Sequence, residues 1–206
     1  MAIYSSIQSL LDDLISVPAL LPDSRLATLH ELGEYIRRKQ ENGEPAKLNF
    51  ICTHNSRRSH LSQIWAEVWA YHFNLIDFTA YSGGTEATAF HPNAISALQK
   101  QGFVITGDQS ENPRYQVRFG EDSPLIECWS KEYSDPENPA TGFGAVMVCD
   151  SAEEACPFVA GAEKRFGITY TDPKLSDGTP EQEQTYQQRS LQIGGELYLA
   201  FQHATR

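Results

Sequence analysis

Leu48-Asn49-Phe50-Ile51-Cys52-Thr53-His54-Asn55-Ser56-Arg57-Arg58-Ser59 is the stretch on which the reading of this chain turns. Leu48 to Thr53 is a short apolar run of strand type. It passes without a proline into Arg57 to Phe73, where Leu61, Ile64, Trp65, Val68 and Trp69 mark one helical face. A strand feeding a helix through a tight loop is the repeating unit of a parallel sheet with crossover helices. A loop wrapped at a helix N-terminus turns successive backbone N–H groups inward, and together with the helix dipole these make a cradle for a tetrahedral oxyanion. The same field favours Cys52 as thiolate, since thiols so placed fall from about 8.5 toward about 4 to 7 in pKa. Arg58 closes the cradle with a planar fork matched to two oxyanion oxygens. Asn55 ties the loop by side-chain bonds, and the Ser59 hydroxyl donates to the Cys52 sulfur. A cysteine at a strand end is most often a packed small hydrophobe. Here the strand before it, the helix after it and the serine following Arg58 favour the anion loop, Thr53, His54, Asn55, Ser56, Arg57, Arg58 and Ser59.

The alternation continues downstream. Asp77 to Tyr81 reads as a second strand, and Pro92 at a first helical position, with Ile95, Leu98 and a terminating Gly102, marks the next helix. Gly144 to Cys149 is the most buried strand candidate, and Phe166 to Thr171 reads as a last short strand. Thr179-Pro180-Glu181-Gln182 combines an N-cap, a proline at N1 and a capping-box glutamine, so a long final helix is expected to run to about His203. Between Gly107 and Phe143 the pattern breaks. We read residues 108–142 as an insertion, with a hairpin formed by Tyr115 to Phe119 and Leu125 to Trp129. Upstream, residues 1–45 form a helical extension to a catalytic domain at 46–206. Ile3, Ile7, Leu10, Leu11 and Leu14 follow helical spacing until Pro18 and Pro22, and Leu26, Leu29, Leu32 and Ile36 follow it again before Arg37-Arg38-Lys39. These amphipathic helices pack on the main domain or form a homodimer contact, with a membrane-surface role as the minor alternative.

Composition narrows the functions. The 206 residues carry 16 Lys+Arg against 27 Asp+Glu, a formal charge of −11, which argues against nucleic acid or an anionic membrane as partner. An anion must therefore be gripped locally. No apolar run approaches the roughly 20 residues of a membrane span, and Met1 to Ser6 lacks the basic start of a signal peptide, so a cytoplasmic protein is expected. The four cysteines, Cys52, Cys128, Cys149 and Cys156, fit neither a disulfide scaffold nor a zinc knuckle. No metal or cofactor is expected.

Two further features lie where the active edge of such a sheet should be. Asp172-Pro173 follows the last expected strand, on the edge where open α/β sheets bind ligands, and is suited to protonating a leaving oxygen; alone, Asp-Pro reads as a turn. Cys149 closes the buried strand and Cys156 follows seven residues later. Three thiols so placed suit a disulfide relay by ordinary thiol–disulfide exchange, although two cysteines at this spacing are more often core or incidental residues.

Together these residues resemble the low-molecular-weight protein tyrosine phosphatase superfamily and, within it, the thioredoxin-coupled arsenate reductases. Cys52 to Ser59 is similar to the family's anion loop, and Tyr81-Ser82-Gly83-Gly84-Thr85-Glu86-Ala87 with His91-Pro92-Asn93-Ala94 to its second strand and next helix. Val148-Cys149 to Cys156-Pro157 resembles the reductases' redox pair, and Thr171-Asp172-Pro173 the acid loop. The resemblance implies a four-stranded parallel sheet with helices on both faces. It implies that Cys52 attacks arsenate held by Arg58 and the loop amides, with Asp172 as proton donor, and that Cys149 and then Cys156 carry the disulfide to thioredoxin. Phosphatases of the superfamily generally lack that cysteine pair and often have aromatic residues after Asp-Pro, where Lys174-Leu175 stand here. Other departures are Arg57 for a common second loop cysteine, which adds charge beside Cys52, and His54 for a small residue, which crowds or assists the anion. Gln63 stands where some reductases have a potassium-binding glutamate, and Cys128 has no counterpart. The alternative readings are a phosphatase acting on phosphotyrosine or a small phosphoester, and a non-catalytic module binding an anion or a phosphoprotein.

Overall fold

The computed structural model describes residues 3–16, 20–155 and 158–206. In chain order its elements are α1 (Ser5–Ser16), α2 (Asp23–Glu41), β1 (Ala46–Cys52), α3 (Arg58–His72), β2 (Phe78–Gly84), α4 (Pro92–Lys100), β3 (Val104–Thr106), β4 (Tyr115–Arg118), β5 (Ile126–Cys128), β6 (Phe143–Met147), α5 (Asp150–Ala155), β7 (Ala162–Gly167) and α6 (Gln182–Ala204). A 3₁₀ turn, Pro173–Ser176, lies between β7 and α6.

Strand β1 is central and six of its seven residues are buried, with Ala46, Leu48, Phe50 and Cys52 making one face apolar and Asn49 buried with Ile51 on the other. It pairs in parallel with β2 on one side and β6 on the other, and β6 carries β7, giving the order β2-β1-β6-β7. This is the expected four-stranded parallel sheet flanked by helices. Strand β2 runs three residues beyond the expected Tyr81, through Ser82, Gly83 and Gly84. A Cβ on Gly83 would lie 2.3 Å from the Tyr133 Cα, so only glycine lets the chain after β5 pass this closely.

Three boundaries differ from the sequence pattern. The last strand is Ala162–Gly167 rather than Phe166 to Thr171: β7 is an edge strand with only Phe166 fully buried, so its polar start gives no apolar signal. Residues beyond it still hydrogen-bond to the sheet, Ile168 N–H to Met147 O at 2.9 Å and Tyr170 N–H to Val148 O at 3.2 Å. Helix α6 starts at Gln182, not after a cap at Thr179. The Thr179 hydroxyl donates to Ser176 O, and the Gln182 side-chain oxygen accepts from Gly178 N–H, so these groups close the preceding turn instead. The expected hairpin is present as β4 and β5, and β3 joins it to make a three-stranded antiparallel sheet. Three residues with one buried side chain are too short to read from sequence.

The N-terminal helices share the main core. Ile7, Leu11, Leu29, Leu32 and Ile36 are fully buried together with Phe50, Trp65 and Phe201. Arg25 reaches from α2 to the buried Glu196 of α6 at 2.7 Å and to the Thr169 carbonyl at 2.9 Å. Trp65 and Trp69 of α3 donate to Ser190 Oγ and Gly194 O of α6, which fixes α3 and hence the loop ahead of it. Among the described residues no helix is long and apolar enough to cross a membrane.

Glu67 of α3 accepts the Ala80 N–H of β2, and burial pushes its carboxyl up from 4.5 to about 7 against the opposing effect of that bond. The folded state therefore binds more protons than the unfolded chain between those values, and the group's contribution to stability falls as pH rises through them. Glu67→Gln keeps the acceptor for Ala80 and removes the buried charge. It should raise stability at pH 8 by roughly 3 kcal/mol and leave it near the parent's at pH 4.5; thermal denaturation at the two pH values checks this, and an equal gain at both contradicts it.

Candidate active site

The loop between β1 and α3 sits at the carboxyl edge of the sheet, and its shape is set by where its carbonyls go. Cys52 O accepts Thr85 N–H at 3.0 Å, Thr53 O accepts Glu86 N–H at 2.8 Å, and Ser56 O accepts His91 N–H at 2.9 Å. His54 O accepts the hydroxyls of Thr88 and Ser130, both at 3.0 Å. Because a peptide's N–H points opposite its carbonyl, fastening these four oxygens outward turns the following amides inward. Among the described residues, the N–H groups of Thr53 to Arg57 donate to no backbone carbonyl.

Asn55 makes the reversal. Its φ of 42° lies in the left-handed region that asparagine tolerates better than most residues. Its amide donates to Ser59 Oγ at 2.9 Å and accepts Lys131 N–H at 2.9 Å. The Ser59 hydroxyl in turn lies 3.1 Å from Cys52 Sγ. Cys52 ends β1 and is 3% exposed. Beside the loop, His54, Ser56, Arg57, Phe90, His91 and Lys174 line part of an open cavity of about 310 Å³.

Arg58 opens α3. Its guanidinium donates to Tyr170 O at 2.9 Å and to Asp172 Oδ2 at 2.6 Å, while its buried Nε has no partner among the described residues. Asp172 also accepts Lys174 N–H and so caps the 3₁₀ turn. One arginine therefore joins the loop to the Asp172 segment and keeps a donor free for an oxyanion. Arg57 points elsewhere: its Nε donates to the Tyr186 hydroxyl and its terminal nitrogen lies 3.4 Å from Asp177 Oδ2. The charge expected beside Cys52 is thus paired with a carboxylate. His54 is half exposed, with its nearest carboxylate, Glu86, 4.0 Å away.

The other cysteines separate. Val148 N–H donates to Ile51 O, which sets the chain after β6 alongside the end of β1. Cys149 Sγ lies 3.5 Å from the Thr53 hydroxyl and accepts Ala152 N–H at 3.4 Å. Cys156 lies outside the described residues. Cys128 is fully buried, burial pushes its thiol up to about 12, and its sulfur faces Gln63. Gln63 is occupied by Ser82 and Glu127 O, and among the described residues no group of three or more His, Cys, Asp and Glu could hold a metal.

The sequence pattern missed Ser130, Lys131, Asp177 and Tyr186. The first two lie in the insertion, where no motif announces that Ser130 Oγ and Lys131 N–H brace the loop. The other two are ordinary loop and helix residues that only the fold brings to Arg57.

An arsenate reductase of Bacillus subtilis is 30% identical over 149 residues, 72% of this chain and 89% of its own length. The chain belongs to the arsenate reductase family. An arsenate reductase of Bacillus cereus is 39% identical over 124 residues, 60% of this chain and 74% of its own. The low-molecular-weight protein tyrosine phosphatase of T. tengcongensis superposes with a TM-score of 0.51 at 17% identity, covering 75% of this chain and 96% of that one, and so shares the fold. No protein-family model matches the chain. Membership of the arsenate reductase family makes the chain an enzyme.

Asn55 combines a strained backbone with two buried hydrogen bonds, so the two effects can be separated. Asn55→Ala should cost about 3 kcal/mol, and Asn55→Gly about 1 kcal/mol less, because glycine removes the left-handed penalty and still loses both bonds. Denaturant unfolding of the two variants checks this; equal losses would mean the backbone carries no strain.

Proposed function

We propose that the protein is a thiol-dependent arsenate reductase, with Cys52 as nucleophile and a disulfide passed through Cys149 and Cys156 to thioredoxin. Arsenate binds with its oxygens on the inward amides and on Arg58. Cys52 Sγ attacks arsenic, and an oxygen leaves as water with a proton supplied by Asp172. Cys149 Sγ then attacks Cys52 Sγ. The sulfur–arsenic bond breaks with its electron pair left on arsenic, so arsenite departs as a Cys52–Cys149 disulfide forms and two electrons have moved from the thiols to arsenic. Cys156 attacks Cys149, freeing Cys52, and thioredoxin reduces the Cys149–Cys156 bridge.

The observation that carries this reading over phosphoester hydrolysis is the position of Cys149, whose sulfur lies 3.5 Å from Thr53 Oγ1 within the anion loop. Hydrolysis has no use for a second thiol there, whereas reduction requires one. The names of the curated relatives support the same choice.

The test is arsenite release by the pre-reduced enzyme, with and without thioredoxin and its reductant. Cys52→Ser and Cys149→Ala should each release no arsenite, and Cys156→Ala should release at most one equivalent without sustained turnover. Turnover that survives the Cys149 and Cys156 changes undiminished contradicts the relay, and fast aryl phosphate hydrolysis insensitive to both changes assigns the site to a phosphatase instead.

A further inference from the structure

Arg57 stands where the family commonly has a cysteine, and it contacts two residues that the proposed reaction does not use. Its Nε donates to the Tyr186 hydroxyl at 2.7 Å, and that hydroxyl donates to Asp177 Oδ1 at 2.8 Å. The guanidinium closes the triangle at Asp177 Oδ2, 3.4 Å away. Asn93 adds a bond to Asp177 Oδ1 at 3.2 Å, and the His91 ring stacks on Tyr186. Tyr186 is 1% exposed, and the Arg57 side chain 11%. Burial alone would raise the Asp177 carboxyl, but Tyr186, Arg57, Asn93 and His91 together hold it below its ordinary value.

Asp177 ends the turn that Asp172 begins. Asp172 caps Pro173–Ser176, and Asp177 N–H closes it on Lys174 O. Adjacent arginines of the anion loop therefore grip the two ends of one turn, Arg58 at Asp172 and Arg57 at Asp177. Between these grips Pro173 is buried while Lys174 and Leu175 face solvent, Leu175 at 80% exposure. Without the second grip, Asp172 would be held to the loop only through Arg58, the group that must also bind the anion.

We propose that Arg57, Asp177 and Tyr186 form a latch that fixes the 172–177 turn against the anion loop and thereby positions the Asp172 carboxyl for proton delivery. All three are positioning residues. The inference rests on the reading of Asp172 as proton donor and adds to it the device that holds the donor in place.

The test uses the full chain, pre-reduced, in single turnover with arsenate. Asp177→Asn should lower the rate at saturating arsenate about tenfold while leaving inhibition by inorganic phosphate within about twofold, because Arg58 and the inward loop amides are unchanged. Tyr186→Phe should lose less, as it keeps the Arg57–Asp177 contact. In an Asp172→Asn background, Asp177→Asn should cost nothing further, an effect that a merely structural role would not produce. A rate equal to the parent's, or losses that multiply with Asp172→Asn, overturns the latch. A parent that releases no arsenite overturns the functional reading instead. The latch is then read from hydrogen exchange over residues 172–177: Asp177→Asn speeds exchange if the latch exists and leaves it unchanged if it does not.

Discussion

The rest of the site depends on a property of the peptide unit: its carbonyl and its N–H cannot both face the same way. Four loop carbonyls are fastened from outside, three by the segment 85–91 and one by Ser130 with Thr88, and the inward amides follow from geometry. The fastening segment needs room to come this close. A Cβ on Gly84 would lie 2.3 Å from Glu86 O and 2.7 Å from Asn55 N, so glycine at the end of β2 is a condition of the loop's shape. The donors are thus oriented by the fold, and a bound oxyanion needs no reorganisation of the loop, which is the condition under which such donors stabilise developing charge most.

Electrostatics is arranged with equal economy. A chain with a formal charge of −11 repels a doubly charged oxyanion at long range, so attraction must come from donors that act only at contact. The loop brings two arginines there, yet each already faces a carboxylate: Arg58 faces Asp172, and Arg57 faces Asp177. Of these two arginines, Arg58 alone retains a buried donor with no partner among the described residues. The paired carboxylates keep the loop from carrying two largely buried, uncompensated charges.

Sequence reveals the parts of this arrangement that rest on local chemistry. The strand, loop and helix around Cys52 are legible because an apolar run, a tight turn and an amphipathic face follow one another, and Asn55 and Ser59 carry side chains that can only close such a loop. The edge strand β7 escapes because one-sided burial needs few apolar residues, and Ala162 to Arg165 show none beyond alanine. The start of α6 is misread because Thr179 and Gln182, correct for a cap, are used to close the preceding turn. Ser130, Lys131, Asp177 and Tyr186 are invisible for a different reason. Their relation to the loop spans between 76 and 129 residues of chain, as with Ser130 to His54 and Tyr186 to Arg57, and exists only after the sheet has formed.

The burial of the sulfurs bears on why a reductase built this way would need a third thiol. Cys52 is 3% exposed and Cys149 1% exposed, so a disulfide between them would be closed to a protein reductant that must bring its own sulfur into line for attack. Cys128 cannot take the bond over, since it is fully buried, faces Gln63, and has its thiol pushed far above the range in which thiolate is populated. In the proposed reaction Cys156, seven residues after Cys149, is the sulfur through which electrons would enter. Under the proposed reaction, the interior that would shield the arsenic–sulfur bond from water would also shield the resulting disulfide, which would then have to be exported.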